Sequence, residues 1–115
     1  MVKKLLLMAC LFSVSEITYA QKHAPRPKQQ KKYVPGIYPE ASQRMLRFSD
    51  VQGLTSWDLK VMRNEIFARH GYIFKTQDML DYFGQQPWYR PAHDDVQYKL
   101  TIVEKKNLEF IKSYE

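Results

Sequence analysis

Cysteine is nearly missing from this chain: Cys10 is the single example in 115 residues. It lies inside an apolar run near the amino terminus, so a protein cleaved after that run would hold none. Such a protein could form no disulfide even in an oxidising compartment. Long apolar runs are missing as well. The stretch from Leu5 to Val14 covers about ten residues, half of the roughly twenty that a bilayer-crossing helix needs. There is no internal repeat and no pair of alternating segments that would make a hairpin. The three histidines, His23, His70 and His93, form no ligand pair at i,i+4 and no short loop motif, so no metal and no cofactor is indicated. Nucleophile signatures are also lacking around Ser42, Ser49, Ser56 and Ser113.

What is there begins with an export signal. Lys3 and Lys4 precede the apolar run, and a more polar stretch leads to Thr18 and Ala20 at the −3 and −1 places of a cleavage site. Residues 1–20 therefore read as a signal peptide, and the chain as exported to the periplasm or the extracellular space. Lipidation at Cys10 is the weaker reading. Cutting there would leave Leu5 to Ala9 as apolar core, shorter than the roughly seven residues such signals need.

The net charge of +6 is unevenly placed. Residues 21–35 hold Lys22, Arg26, Lys28, Lys31 and Lys32 with no acid, together with Pro25, Pro27 and Pro35. That composition predicts a disordered basic linker. From Gly36 onward eleven basic residues balance eleven acidic ones, which argues against a nucleic-acid partner for the folded part. Residues 22–32 could make electrostatic contact with an anionic surface, although a solvated spacer is the simpler reading.

Residues 36–115 carry helical patterns and thirteen aromatic side chains. Large rings each bury about 150–250 Å2, enough to hold a small domain without cross-links. Thr55 with Asp58 reads as a capping box, followed by a long helix to His70 and a left-handed Gly71. At 100° per residue Leu59, Met62, Ile66 and His70 share one face, while Trp57, Val61, Asn64 and Ala68 lie nearly opposite. Such a helix is packed on both sides. Between the two faces Glu65 and Arg69 can pair at i,i+4. A second helix follows Thr76 and ends at Gly84. An aromatic loop, Gln86 to Pro91, is bracketed by prolines, and a last helix opens on the capping box of Thr101 and Glu104. Residues 49–51 suggest a brief helical turn. The expected fold is all-α, a compact domain of three main helices around an aromatic-rich core.

The segment from Arg63 to Gly71 (RNEIFARHG), then Phe74, Tyr82-Phe83, Gln86-Pro87-Trp88-Tyr89 and finally Glu104 to Leu108, resembles the YARHG domain of bacterial proteins. The similarity covers residues 38 to 115, and Phe67 stands at the tyrosine place of the naming motif. The resemblance implies an extracellular domain of a kind found beside peptidases and kinases, and supplies neither a reaction nor a ligand.

Candidate binding residues follow from chemistry. Arg63, Asn64, Glu65, Arg69 and His70 concentrate polar groups on the long helix, where they would either bind a ligand or form an internal network. Trp88, Tyr89 and Arg90 could stack on a sugar ring or anchor a protein. His93, Asp94 and Asp95 read more simply as a polar turn than as a cation site. The leading expectation is a secreted, non-catalytic binding module of the cell envelope, its partner an envelope protein or glycan. The alternative is a small envelope hydrolase or hydrolase regulator using Glu65 and His70.

Overall fold

The computed structural model describes residues 32–115. Residues 1–20, read as a signal peptide and including Cys10, and residues 21–31 of the basic linker lie outside the described residues. Among the described residues four α-helices form: α1 (Phe48–Val51), α2 (Ser56–Arg69), α3 (Gln77–Gly84) and α4 (Ile102–Lys112). Two 3-10 turns, Pro39–Ser42 and Gln97–Lys99, complete the regular structure. No strand forms among the described residues, and a single parallel bridge joins Tyr72 to His93. None of the described helices is long and apolar enough to cross a membrane.

Each long helix starts where local chemistry places it. In α2 the Thr55 hydroxyl accepts from the Asp58 amide at 3.1 Å, and the Asp58 carboxylate accepts from the Thr55 amide at 3.0 Å. Thr101 and Glu104 repeat the arrangement at α4. Each such cap is worth about 1 kcal/mol. Thr76 behaves differently from expectation. It occupies the N-cap place of α3, but its side chain makes no bond to the helix amides. Gly71 ends α2 with φ +80°, and a Cβ there would stand 2.9 Å from the Arg90 carbonyl, so the return loop can press close.

Helix α2 is central, with a separate apolar cluster on each side. Leu59, Met62 and Ile66 face Leu108 and Ile111 of α4, together with Ala41, Leu46, Val51 and Leu100. The other cluster gathers Ala68, Phe74, Met79, Phe83 and Tyr89, where Phe74 and Phe83 stack at 4.7 Å. Phe67 packs against both. Trp57 corrects one expectation: it remains 45% exposed, its ring edge-on to Tyr82 at the rim of the second cluster. It sits in the first turn of α2, beyond the level at which that cluster closes.

The chain before α1 is held as a strap across α2 and α4, and the Pro39–Ser42 turn packs on both helices. Apolar contact there is thin. Ala41 and Leu46 are its buried hydrophobic members, so polar groups must do most of the holding.

Candidate functional site

The polar residues of the RNEIFARHG segment do not converge on one place. Glu65 and Arg69 turn towards the strap. The Glu65 carboxylate, 1% exposed, accepts from the Ile37 amide at 2.7 Å and the Tyr38 amide at 2.8 Å. Arg69 donates to the Pro35 carbonyl at 2.6 Å, the Tyr38 carbonyl at 2.8 Å and the Ser42 hydroxyl at 2.8 Å. The two side chains meet at 3.3 Å. Burial pushes the Glu65 carboxyl up, opposed by the Ile37 and Tyr38 amides and by Arg69. Burial lowers Arg69, opposed chiefly by the charge of Glu65. Removing either partner would leave a buried charge uncompensated, which is what makes such pairs costly to break.

His70 caps α2, and its ring serves a different partner from the helix carbonyls. Nε2 lies 2.9 and 3.0 Å from the two oxygens of Glu104, within hydrogen-bond distance of both. Glu104 also accepts from the Ser42 hydroxyl at 3.1 Å and, as a cap, from the Thr101 amide. Glu65, Arg69, Ser42, Glu104 and His70 thus form one continuous chain of hydrogen bonds between α2, the strap and α4. Its order is wrong for nucleophilic catalysis: the carboxylate contacts the serine hydroxyl, and the imidazole contacts the carboxylate. The oxygens of Glu65 are likewise engaged by backbone amides.

Asn107 completes the strap's attachment. Fully buried in α4, it accepts from the Leu46 amide at 2.9 Å and donates to the Ala41 and Arg44 carbonyls at 2.8 and 2.7 Å. Sequence reasoning missed this residue. A signal existed: Glu104, Asn107, Leu108 and Ile111 form an i, i+3, i+4, i+7 stripe in which two places are polar. A polar residue on a buried stripe needs dedicated partners. None of the buried side-chain nitrogen and oxygen atoms among the described residues is left without a partner.

Arg63 and Asn64 point elsewhere, into a groove beside α2. Its larger part, about 340 Å3, is lined by Arg63, Asn64, Phe67, Tyr72, Asp94, Asp95, Val96 and Gln97. A smaller part of about 190 Å3 shares Arg63, Asn64 and Tyr72 and adds Lys60 and Lys75. Arg63 donates from Nε and Nη2 to the Glu115 carboxylate at 2.6 and 2.8 Å. Asn64 Nδ2 donates to the Lys60 carbonyl at 2.8 Å, fixing the amide in place. The Asp94–Asp95 turn is pinned by the Ala92 and His93 amides donating to the Gly71 carbonyl, and Asp95 accepts from the Gln97 amide at 2.9 Å. Among the described residues no three His, Cys, Asp or Glu side chains cluster as metal ligands.

Trp88, Tyr89 and Arg90 line neither part of this groove. Trp88 is half-buried against the second cluster, edge-on to Phe83 at 6.1 Å. Tyr89 is buried, and its hydroxyl donates to the Tyr72 carbonyl. Arg90 folds back on the Pro87 and Tyr89 carbonyls at 2.8 and 3.0 Å.

A small all-helical domain with a two-sided central helix and a polar strap attachment is the class this geometry defines. Residues 34–115 match the YARHG domain family, and the chain belongs to it. YARHG domains are as a family extracellular or periplasmic. No curated protein and no solved structure matches the chain.

Proposed function

We propose that the protein is an exported, non-catalytic binding module of the bacterial envelope, released from a signal peptide and carrying a basic leader. One observation carries this reading. The charged side chains that could do chemistry, Glu65, Arg69, His70 and Glu104, are joined to one another or to the strap. The groove beside α2, in contrast, keeps Asp94, Asp95 and Gln97 exposed on a rigid support. Rigid scaffolding under an open, mixed polar and aromatic groove suits recognition.

Co-sedimentation with purified envelope fractions tests the proposal, using the protein with and without residues 22–32 at low and high salt. Retention at high salt by both forms is the expected result. Association that depends on residues 22–32 and vanishes in salt would reduce the protein to an electrostatic leader. Absence of association at either salt would overturn the envelope assignment.

A further inference from the structure

The groove beside α2 carries charges of both signs. Asp94 and Asp95 line its larger part, exposed and without a lysine or arginine partner among the described residues. Arg63 lines both parts, and Lys75 lines the smaller one. The rings of Phe67 and Tyr72, 6.0 Å apart and tilted by 54°, contribute apolar wall, and the Asn64 amide contributes polar floor.

Arg63 already displays how it would hold an acid. Its guanidinium grips the Glu115 side chain through two nitrogens at 2.6 and 2.8 Å, the two-point geometry by which arginine recognises carboxylates. Both partners of this pair are partly exposed, with side-chain exposures of 24% each. The pair is open enough to solvent for an incoming carboxylate to compete for the same guanidinium edge.

We propose that this groove binds a short peptide bearing both a free ammonium and a free carboxylate, the carboxylate replacing Glu115 on Arg63 and the ammonium meeting Asp94 and Asp95. The inference rests on the binding-module reading and names the ligand class of its groove. A cavity of about 340 Å3 is the size of two or three small residues and stands at the low end of ligand sites, roughly 300–1,000 Å3. Two opposite charges on one small ligand explain why the groove carries both signs, whereas a neutral glycan would leave the aspartates unmatched.

The test is an NMR titration of the protein with tri-alanine, with its N-acetylated form and with its C-terminal amide. Tri-alanine is expected to shift resonances of Asn64 and Tyr72, and either cap to weaken binding about tenfold, the scale of one charge-assisted contact. Asp94→Asn with Asp95→Asn should abolish discrimination against acetylation and keep discrimination against amidation. Glu115→Ala should tighten tri-alanine binding several-fold by removing the internal competitor, an effect no purely structural role of Glu115 would produce. Equal binding of capped and free peptides, or no binding of tri-alanine, overturns the proposal. If envelope co-sedimentation persists in that case, this inference falls while the module reading stands. Intact cell-wall sacculi compared with sacculi stripped of their stem peptides identify the source. Loss on stripping assigns a wall-borne peptide, and retention of tri-alanine binding with no sacculus binding assigns a free one.

Discussion

Gly36 is the residue where the strap's attachment is most exposed to a single methyl group. Its φ of +114° is one that residues with a Cβ rarely adopt. An added Cβ would collide with Glu65 Oε2 and would stand 2.8 Å from Glu65 Cδ and 2.9 Å from Arg69 Nη2. Gly36→Ala therefore combines two costs. Backbone strain contributes about 1–3 kcal/mol. Displacing Glu65 weakens its bonds from Ile37 and Tyr38, charge-assisted contacts of about 1.5–3 kcal/mol each, part of which water recovers once the strap lifts. A total near 3–5 kcal/mol is a large fraction of the roughly 5–15 kcal/mol that holds a domain together. At about 4–8 °C per kcal/mol for a domain of this size, melting should fall by roughly 12–40 °C. Gly53→Ala is the control, because Gly53 shares a positive φ of +78° but has nothing within 4 Å of an added Cβ. Strain alone should cost it about 1–2 kcal/mol. Thermal melts followed by circular dichroism, with amide exchange at Ile37 and Tyr38, separate the two terms. If Gly36→Ala melts where Gly53→Ala does, the Glu65 clamp contributes nothing and the reasoning fails.

Three further expectations follow from the same network. Asn107→Leu keeps the volume but orphans the Leu46 amide and the Ala41 and Arg44 carbonyls, and should cost about 3–5 kcal/mol in chemical denaturation; a loss below 1 kcal/mol would mean these groups find other partners. His70→Ala removes one partner of Glu104 and leaves Ser42 and Thr101, so a smaller loss of about 1–2 kcal/mol is expected, with envelope binding unchanged. The Arg44 guanidinium holds the Asp50 carboxyl down to about 2 from 3.8. A depressed carboxylate stabilises the fold above its unfolded value and loses that contribution as pH falls between about 4 and 2. Arg44 is 45% exposed, so screening keeps the effect small, and Asp50→Asn should flatten that part of an acid titration of stability.

Much of the fold was legible in the chain. Thr55 with Asp58 and Thr101 with Glu104 marked helix starts because a cap is local chemistry, closed within three residues. Gly71 marked the end of α2 for the same reason, and the two apolar faces of α2 announced neighbours on both sides. The i,i+4 pair of Glu65 and Arg69 was equally readable, although its purpose was not. Their principal partners are backbone groups at Pro35, Ile37 and Tyr38, some thirty residues away, and backbone amides carry no sequence signature. Asn107 was hidden by the same circumstance.

The candidate site divided along the same line. Sequence alone named Arg63 and Asn64 as part of a polar cluster with Glu65, Arg69 and His70, since all five lie within two turns of one helix. Tertiary structure decided which of them face inward. A helix presents residues i and i+1 about 100° apart, so Asn64 and Glu65 point to different neighbours, one to the groove and one to the strap. The return of the chain after α3 then brought Asp94 and Asp95 to line the same groove as Arg63, a placement set by where the Gly71 carbonyl receives the Ala92 and His93 amides. Local capping and periodicity determined the helices, and long-range backbone hydrogen bonding decided which polar residues hold the fold and which line the groove beside α2.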